Sequence, residues 1–434
     1  MLRTMIRLGG PVFVASIFES LHSLVNMFWL GRLPDAARAM NAPVISFQIL
    51  FLAASMGVGI SQAGAVLAGQ SKGAGKDERL PDIAGHLVLV LIAYFSLITL
   101  ASVLFPDAIL GLIGTPAESY GMVRPYFVIV AAGMGPVCLV FALRALSQGI
   151  GDTTTPMLVD TAAILLNMAL DPLLIFVFGW GVRGAAWATV LARLATSVWA
   201  LRLLTDHRGP FRVRLGGWRP SPRQLATLAR IGLPAGIGMS GSSLGFAVIT
   251  RLVASYGAVP VAAFGLASRL FQICMLPSMA AVSALTTTVA QCLGAGKPER
   301  ARQAVRTAVI ALPGVLLVPM ILLMLTGTDI ARLFTHDENV ASLVHRALII
   351  AGPSPVLFAA QSILQGAFQG GGVTVYVMIA AFLRLWGIRV PFAWLLQSRF
   401  GLDAVWASMT VSNLVAVLFL FFGYGRGWWA RRQV

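Results

Sequence analysis

Continuous apolar runs, each long enough to cross a bilayer, recur along the whole of this 434-residue chain and constrain its fold more than any motif does. Twelve can be drawn, at about 8–31, 41–69, 84–106, 123–148, 156–178, 183–204, 228–255, 260–292, 304–327, 345–369, 373–397 and 402–424. A hydrocarbon core about 30 Å thick takes roughly 20 apolar residues as a helix, and every run reaches that length. The runs are continuous instead of alternating, which selects helices over a β-barrel. With 58% of residues hydrophobic and 11% charged, a soluble globular fold is excluded. The expected fold is an all-α integral membrane protein with twelve transmembrane helices.

The 32 Lys and Arg outnumber the 16 Asp and Glu, yet they lie mainly between apolar runs and form no basic domain, so nucleic acid is not an expected partner. They alternate from one connection to the next. Arg3 and Arg7; Lys72, Lys76 and Arg79; seven Arg from Arg202 to Arg230; Lys297 to Arg306; and Arg426, Arg431 and Arg432 hold 19 of the 32 basic residues. By the positive-inside rule these connections and both termini are cytoplasmic, in the inner (cytoplasmic) membrane of the cell. The first run continues as a long helix with no small-residue cleavage site before it, so it is expected to remain as a span. Cys138, Cys274 and Cys292 sit inside apolar runs without metal-ligand spacing and read as small hydrophobes. No nucleophile and base pair or metal-ligand set stands out, so an enzyme is not expected, nor any cofactor beyond a coupling ion, and the chain is expected to work as a monomer.

The chain also repeats itself. Arg7-Leu-Gly-Gly-Pro11 returns as Arg230-Ile-Gly-Leu-Pro234, and Gly73-Ala-Gly-Lys-Asp-Glu-Arg79 returns as Gly294-Ala-Gly-Lys-Pro-Glu-Arg300. Ser147-Gln-Gly149 answers Leu364-Gln-Gly366, and residues 186–188 answer 405–407, the four offsets being 223, 221, 217 and 219. Two homologous halves follow: a six-helix lobe at 1–205, a basic cytoplasmic linker at 206–225 and a second six-helix lobe at 226–434. Six helices per half is an even number, so the repeats are parallel, and a pathway through a central cavity between them is the plan of many secondary transporters. The two Gly-Ala-Gly-Lys pieces lack the spacing and the Ser or Thr of a P-loop and are expected to be turns. Gly57, Gly59, Gly236, Gly238 and Gly241 read as close-packing positions between helices.

Polar residues inside spans carry the functional expectations, because a charge at mid-membrane costs about 2.5 to 3.5 kcal/mol on insertion scales. The fifth run holds Asp160, Asn167 and Asp171, which helical spacing puts on one face. Counting about 1.5 Å per residue, Asp171, Thr189 and Asn26 share a level roughly 8 to 10 Å below the outer surface, with Asn167 and Glu19 deeper at about 16 to 18 Å. Glu19, His22 and Asn26 share a face of the first helix. Asp160 lies nearer the cytoplasmic end and reads as a solvated helix start beside Asp152. Oxygen ligands of this kind suit Na⁺, with Asp171, Asn167 and Thr189 as its core, while a buried Asp171 or Glu19 equally suits H⁺. Pro172 adds a carbonyl, that of Met168, which it cannot hydrogen-bond. The same polar groups could instead hold the bundle together across helices. Residues that answer this set in the second half include Ser242, Ile249, Arg384, Trp386 and Arg389, so cation coupling is expected in the first half alone.

The run from Gln148 to Pro156 (Gln-Gly-x-Gly-Asp-x-x-x-Pro), Asn167-x-x-x-Asp171-Pro172, Gly184-Ala-Ala-x-Ala-Thr189 and the Gly-Ala-Gly turns together resemble the multidrug and toxic compound extrusion (MATE) transporters, over essentially the whole chain. The resemblance implies antiport, with inward H⁺ or Na⁺ driving outward movement of amphipathic, often cationic compounds by alternating access. It also implies cation ligands at Asn167, Asp171 and Thr189, together with an Asp in the first helix. There the sequence departs from the family: the Leu-Val-Asp pattern reads Leu24-Val25-Asn26, with His22 at an often aromatic position. Either the carboxylate has moved to Glu19 or coupling rests on Asp171, and Glu19, His22 and Asn26 are candidates for substrate contact. The alternative function is a lipid-linked oligosaccharide flippase of the same superfamily, whose pyrophosphate would need cavity-facing cations such as Arg251, Arg269, Arg384 and Arg389. Against that stands a plainer expectation, in which Arg251 and Arg389 snorkel near helix ends while Arg269 and Arg384 pair within the lobe.

Overall fold

A computed structural model describes residues 2–33, 35–112, 114–213, 220–335, 337–431 and 433, with the side chains of residues 2–6 and 37 outside the description. Arg214, Arg219 and Arg432 of the basic connections lie outside the described residues, as does the side chain of Arg3. The described residues form helices and their connections, with no strand. The first half runs α1 (Leu2–Leu30), α2 (Ala36–Gly73), α3 (Leu80–Leu104), α4 (Pro106–Leu112), α5 (Ala117–Ala132), α6 (Met134–Ile150), α7 (Thr154–Pro172), a π-turn (Leu173–Val177) and α8 (Gly181–Thr205). The second runs α9 (Pro222–Ala254), α10 (Ala258–Gly294), α11 (Pro298–Arg332), α12 (Glu338–Ala351), α13 (Pro353–Gly370), α14 (Thr374–Phe382), a π-turn (Leu383–Arg389), α15 (Val390–Phe400) and α16 (Leu402–Gly425).

Ten of these helical stretches are long and apolar enough to cross a bilayer, and the number becomes twelve when α5 with α6 and α12 with α13 each serve as one bent span. The protein is an all-α integral membrane protein. Runs read as single helices at 123–148 and 345–369 are thus broken, by 52° at Gly133 and by 44° at Gly352. The breaks fall at matching places in the two halves, Gly133 and Gly352. Each half also has a π-turn in its fifth span, but the second, at Leu383–Arg389, lies ahead of the position that answers Leu173–Val177 by the repeat. Internal duplication therefore extends to the bends of the backbone, which no sequence periodicity displays.

The Gly-Ala-Gly pieces are turns. Gly75 and Gly296 take φ of +69° and +68°, and the following amides reach back five residues, from Lys76 N to Ser71 O at 3.0 Å and from Lys297 N to Cys292 O at 2.9 Å. This is the left-handed cap that ends a helix and that glycine adopts without strain. Outside the spans, Asp107 of α4 accepts from Arg124 Nε at 2.6 Å and from the Tyr120 hydroxyl at 2.5 Å. Those two partners, Arg124 first, hold its carboxyl down at about 2 from an ordinary 3.8. The tie is complete above the ordinary value and is released as pH falls through about 2.

The chain forms two compact units, one of Pro11–Gly236 and one of Ile237–Val434 with Met1–Gly10. Each division falls beside a repeated proline motif, so the opening turns of α1 and of α9 do not group with the rest of their own halves. In the first unit the later end of the basic linker is fastened: His86, fully buried, accepts from Ser221 N at 2.8 Å through Nε2 while its Nδ1 meets Asp82 O at 2.7 Å. That pair of contacts fixes the neutral Nδ1–H tautomer.

Small residues set the closest approaches. A Cβ on Gly59 would meet the backbone of Gly232 at 2.8 Å, and one on Gly236 would meet the Met56 backbone at 2.9 Å, so α2 and the start of α9 touch main chain to main chain. Gly57 packs against the Phe95 ring, and in the second unit Gly238 faces the Met378 backbone and Gly241 the Phe382 ring. The close-packing reading of these glycines holds. Gly59→Val is expected to lower stability by about 1 to 3 kcal/mol or more through overpacking, measured as a fall in melting temperature of the purified protein in detergent.

Candidate functional site

The polar cluster of the first unit is built by α7, whose inward face buries Pro156, Val159, Asn167 and Asp171. Asp152 starts that helix properly: its Oδ1 accepts from the backbone N–H groups of Thr154 and Thr155, both at 3.0 Å. At the other end Pro172 has no N–H for the Met168 carbonyl, and the chain widens into the π-turn. Against this irregular backbone lies α8. Gly184 permits the contact, because a Cβ there would stand 2.6 Å from Leu174 O and 2.9 Å from Ile175 N. The glycine of the Gly-Ala-Ala-x-Ala-Thr motif thus brings Thr189, five residues on, against α7.

Asn167 is the hub. It lies 2.5 Å from His22 Nε2 and 3.3 Å from Thr189 Oγ1. The amide orientation that suits both its ends donates from Nδ2 to Asp171 Oδ2 at 3.2 Å and to His22 Nε2 at 2.5 Å, with Oδ1 accepting from Thr189 N at 3.0 Å. Thr189 Oγ1 donates to Ala185 O at 3.0 Å and keeps its lone pairs for a neighbour. Asp171 is fully buried, and its Oδ1 has no hydrogen-bond partner among the described residues. No cation of the described residues lies within 4 Å of it, so as an anion it calls for a proton or a bound cation.

Of the residues expected at this site, Asp171, Asn167, Thr189 and His22 come together. Asn26 is half-buried on α1, its Oδ1 enclosed and without a partner. Glu19 is exposed and makes no hydrogen bond or ion pair among the described residues, with His22, Arg193 and Arg144 as its electrostatic neighbours. Asp160 is not a solvated helix start: its carboxylate, 18% exposed, pairs with Arg144 Nη2 at 2.6 Å, joining α7 to α6. Trp29 on α1 packs edge-on to Phe176 of the π-turn at 5.9 Å, a second tie between α1 and this region.

One member was missed. Tyr126 of α5, 5% exposed, directs its hydroxyl to Thr189, with Asp171 and Arg193 close enough to act on it electrostatically. A phenol in an apolar run must find a polar partner, and that signal was present in the sequence. As a donor set the cluster offers one carboxylate, one amide, an imidazole, a threonine hydroxyl and a phenol. One of its oxygens, Asp171 Oδ1, is buried and unpartnered, which fits a cation or proton site, and Asn26 Oδ1 on α1 is a second such oxygen; no group of three or more His, Cys, Asp or Glu among the described residues could hold a metal.

The MatE family profile matches the chain twice, over residues 11–173 and 234–395, in register with the internal repeat. A relative, the probable multidrug resistance protein YoeA of Bacillus subtilis, is 27% identical, the match covering 98% of this chain and 93% of that protein. Multidrug export protein MepA of Staphylococcus aureus is 24% identical over 97% of this chain and 93% of its own length. Among solved structures, a crystal structure of MATE in the bent conformation superposes with a TM-score of 0.90 at 22% identity, covering 98% of this chain and 95% of that one.

Replacing Gly184 tests how the site is assembled. Gly184→Val is expected to push α8 off the π-turn and to lower stability by about 1 to 3 kcal/mol or more, measured by thermal melting in detergent. An Ala188→Val control on the same helix reports the cost of adding two buried methyl groups away from that backbone contact.

Proposed function

The chain belongs to the MatE family of membrane transporters, and from that premise we propose that it is a proton-coupled antiporter that exports amphipathic, often cationic organic compounds. The observation that carries the reading is Asp171: a fully buried carboxylate, free of any ion pair, with one unpartnered oxygen and one oxygen beside the Asn167 amide. A group in that position exchanges its proton with large consequences for its neighbours, because the charged form loses water without gaining a counter-ion. Asn167 donates to both Asp171 and His22, so a change of protonation at one is felt at the other through the shared amide, and His22 lies one turn from exposed Glu19 on α1. Glu19, His22 and Asn26 then contribute to substrate contact on the same face of α1. Export by relatives named for multidrug resistance and multidrug export supports the substrate class. The protein works as a monomer in the cytoplasmic membrane with both termini inside, and needs no cofactor beyond the coupling ion.

A second reading, Na⁺ coupling, is favoured by the two buried oxygens without partners, on Asp171 and Asn26, together with Thr189 and Asn167 as neutral ligands. Efflux from proteoliposomes under an imposed pH gradient, and then under an imposed Na⁺ gradient, separates the two. The expected result is export driven by the pH gradient alone, reduced to the protein-free leak in Asp171→Asn and slowed in His22→Phe. Full gradient-driven export by Asp171→Asn would sink the assignment of Asp171, and export driven by Na⁺ alone would transfer coupling to the second reading.

A further inference from the structure

The second unit has its own buried charges, of opposite sign. Arg251 and Arg269 are exposed, whereas Arg389 is only 6% exposed and so neither snorkels nor reaches water freely. Its Nε donates to Ser412 Oγ at 2.9 Å and its Nη2 to Asn413 Oδ1 at 3.0 Å, and Asn413 is itself anchored to Ser354 by Nδ2 at 2.8 Å. Arg384 has no hydrogen bond or ion pair among the described residues. Its Nε is buried without a partner, and the guanidinium sits 5.4 Å from the centre of the Phe358 ring. The two arginines are near enough to repel each other.

Backbone geometry puts them there. Both belong to the seven-residue π-turn Leu383–Arg389. In an α-helix a spacing of five leaves two side chains about 140° apart. In i→i+5 geometry, with about 4.4 residues per turn, the same spacing leaves them about 50° apart on one face. No carboxylate of the second unit's described residues answers them: Glu299, Asp329, Glu338 and Asp403 are engaged by Arg302, Arg332 and Arg346, and Asp337 caps α12. Two cations inside an apolar unit, held on one face by an irregular turn and left without an acid, are costly unless something anionic joins them.

We propose that Arg384 and Arg389 form an oxyanion site in the second unit, taking the carboxylate or phosphate group of an amphipathic molecule. Arg389 is the fixed half, oriented by Ser412 and Asn413. Arg384 is the free half, able to turn its planar fork onto a carboxylate or phosphate while its face stays on Phe358. The proposal rests on the transporter reading only for its biological use; the site can be occupied whether or not Asp171 couples transport. The anionic group could belong to an exported compound or to a lipid headgroup, and the chemistry of recognition is the same.

The test is equilibrium titration of the purified full chain, in nanodiscs of neutral phosphatidylcholine, with 1-naphthyl phosphate and 1-naphthoate. Uncharged 1-naphthol is the control. Saturable binding of both anions is expected, about tenfold or more tighter than any binding of naphthol, and weakened about tenfold to a hundredfold in Arg384→Gln. Arg384→Lys, which keeps the charge and loses the fork, is the second variant and is expected to fall between them. It decides the matter if Arg384→Gln fails to melt as a folded protein. Equal affinity for naphthol and naphthyl phosphate, or unchanged affinity for the anions in a folded Arg384 variant, would overturn the site. Repeating the titration with phosphatidylglycerol in the nanodisc identifies the source: competition assigns the site to a headgroup, and its absence assigns it to a soluble compound. Export of a permanent cation by wild-type proteoliposomes tests the transporter reading separately.

Discussion

Everything polar in this protein is arranged around one constraint: inside a bilayer the backbone must satisfy its own hydrogen bonds, so a helix may loosen only where protein covers the loosened turn. The π-turn after α7 is covered by α8, because Gly184 has no Cβ to hold the two backbones apart. That one close contact brings Thr189 to Asn167, and Asn167 in turn joins His22 and Asp171. Remove the contact and the cluster loses the geometry that makes its carboxylate useful. The site therefore depends on a glycine and a proline that never touch an ion.

How far the sequence reached can be judged residue by residue. The apolar runs, the glycine turns at Gly75 and Gly296, the close-packing glycines and the meeting of Asn167, Asp171 and Thr189 were all legible. Each follows from length, composition or regular helical spacing. Tyr126 stands in a span whose helical spacing gives it no polar companion one turn away on its own face, though a phenol in a span needs a partner as much as an amide or an acid does. Asp160 was misread because its partner, Arg144, is sixteen positions away on another helix, and no spacing rule along α7 points to it.

The irregular turns set a firmer limit. Spacing arguments assume 100° per residue, and at Leu173–Val177 and Leu383–Arg389 that assumption fails. With α-helical angles Arg384 and Arg389 point apart, and each can be explained away singly as a snorkelling or paired side chain. In the wider turn they share a face, and the question becomes what balances them. A rule that serves for most of the chain misleads where function concentrates, since local loosening and chemistry occur at the same places.

Duplication makes the contrast informative. Both halves keep the bend at a matching glycine, the π-turn in the same span and a Trp-Ala pair in the next, and the MatE profile fits each. What the halves do not share is the sign of the buried charge in that span, Asp171 just ahead of the first π-turn and Arg384 with Arg389 inside the second. An acid without a counter-ion and a pair of bases without one are complementary problems: the first is relieved by a proton or a metal cation, the second by an anion. Backbone irregularity is costly to invent and easily inherited, whereas a side chain changes by a single substitution. A duplicated span can thus keep a loosened turn while its side chains diverge. Under the two proposals, the corresponding spans would hold opposite charges, a proton or cation at Asp171 and an anion between Arg384 and Arg389.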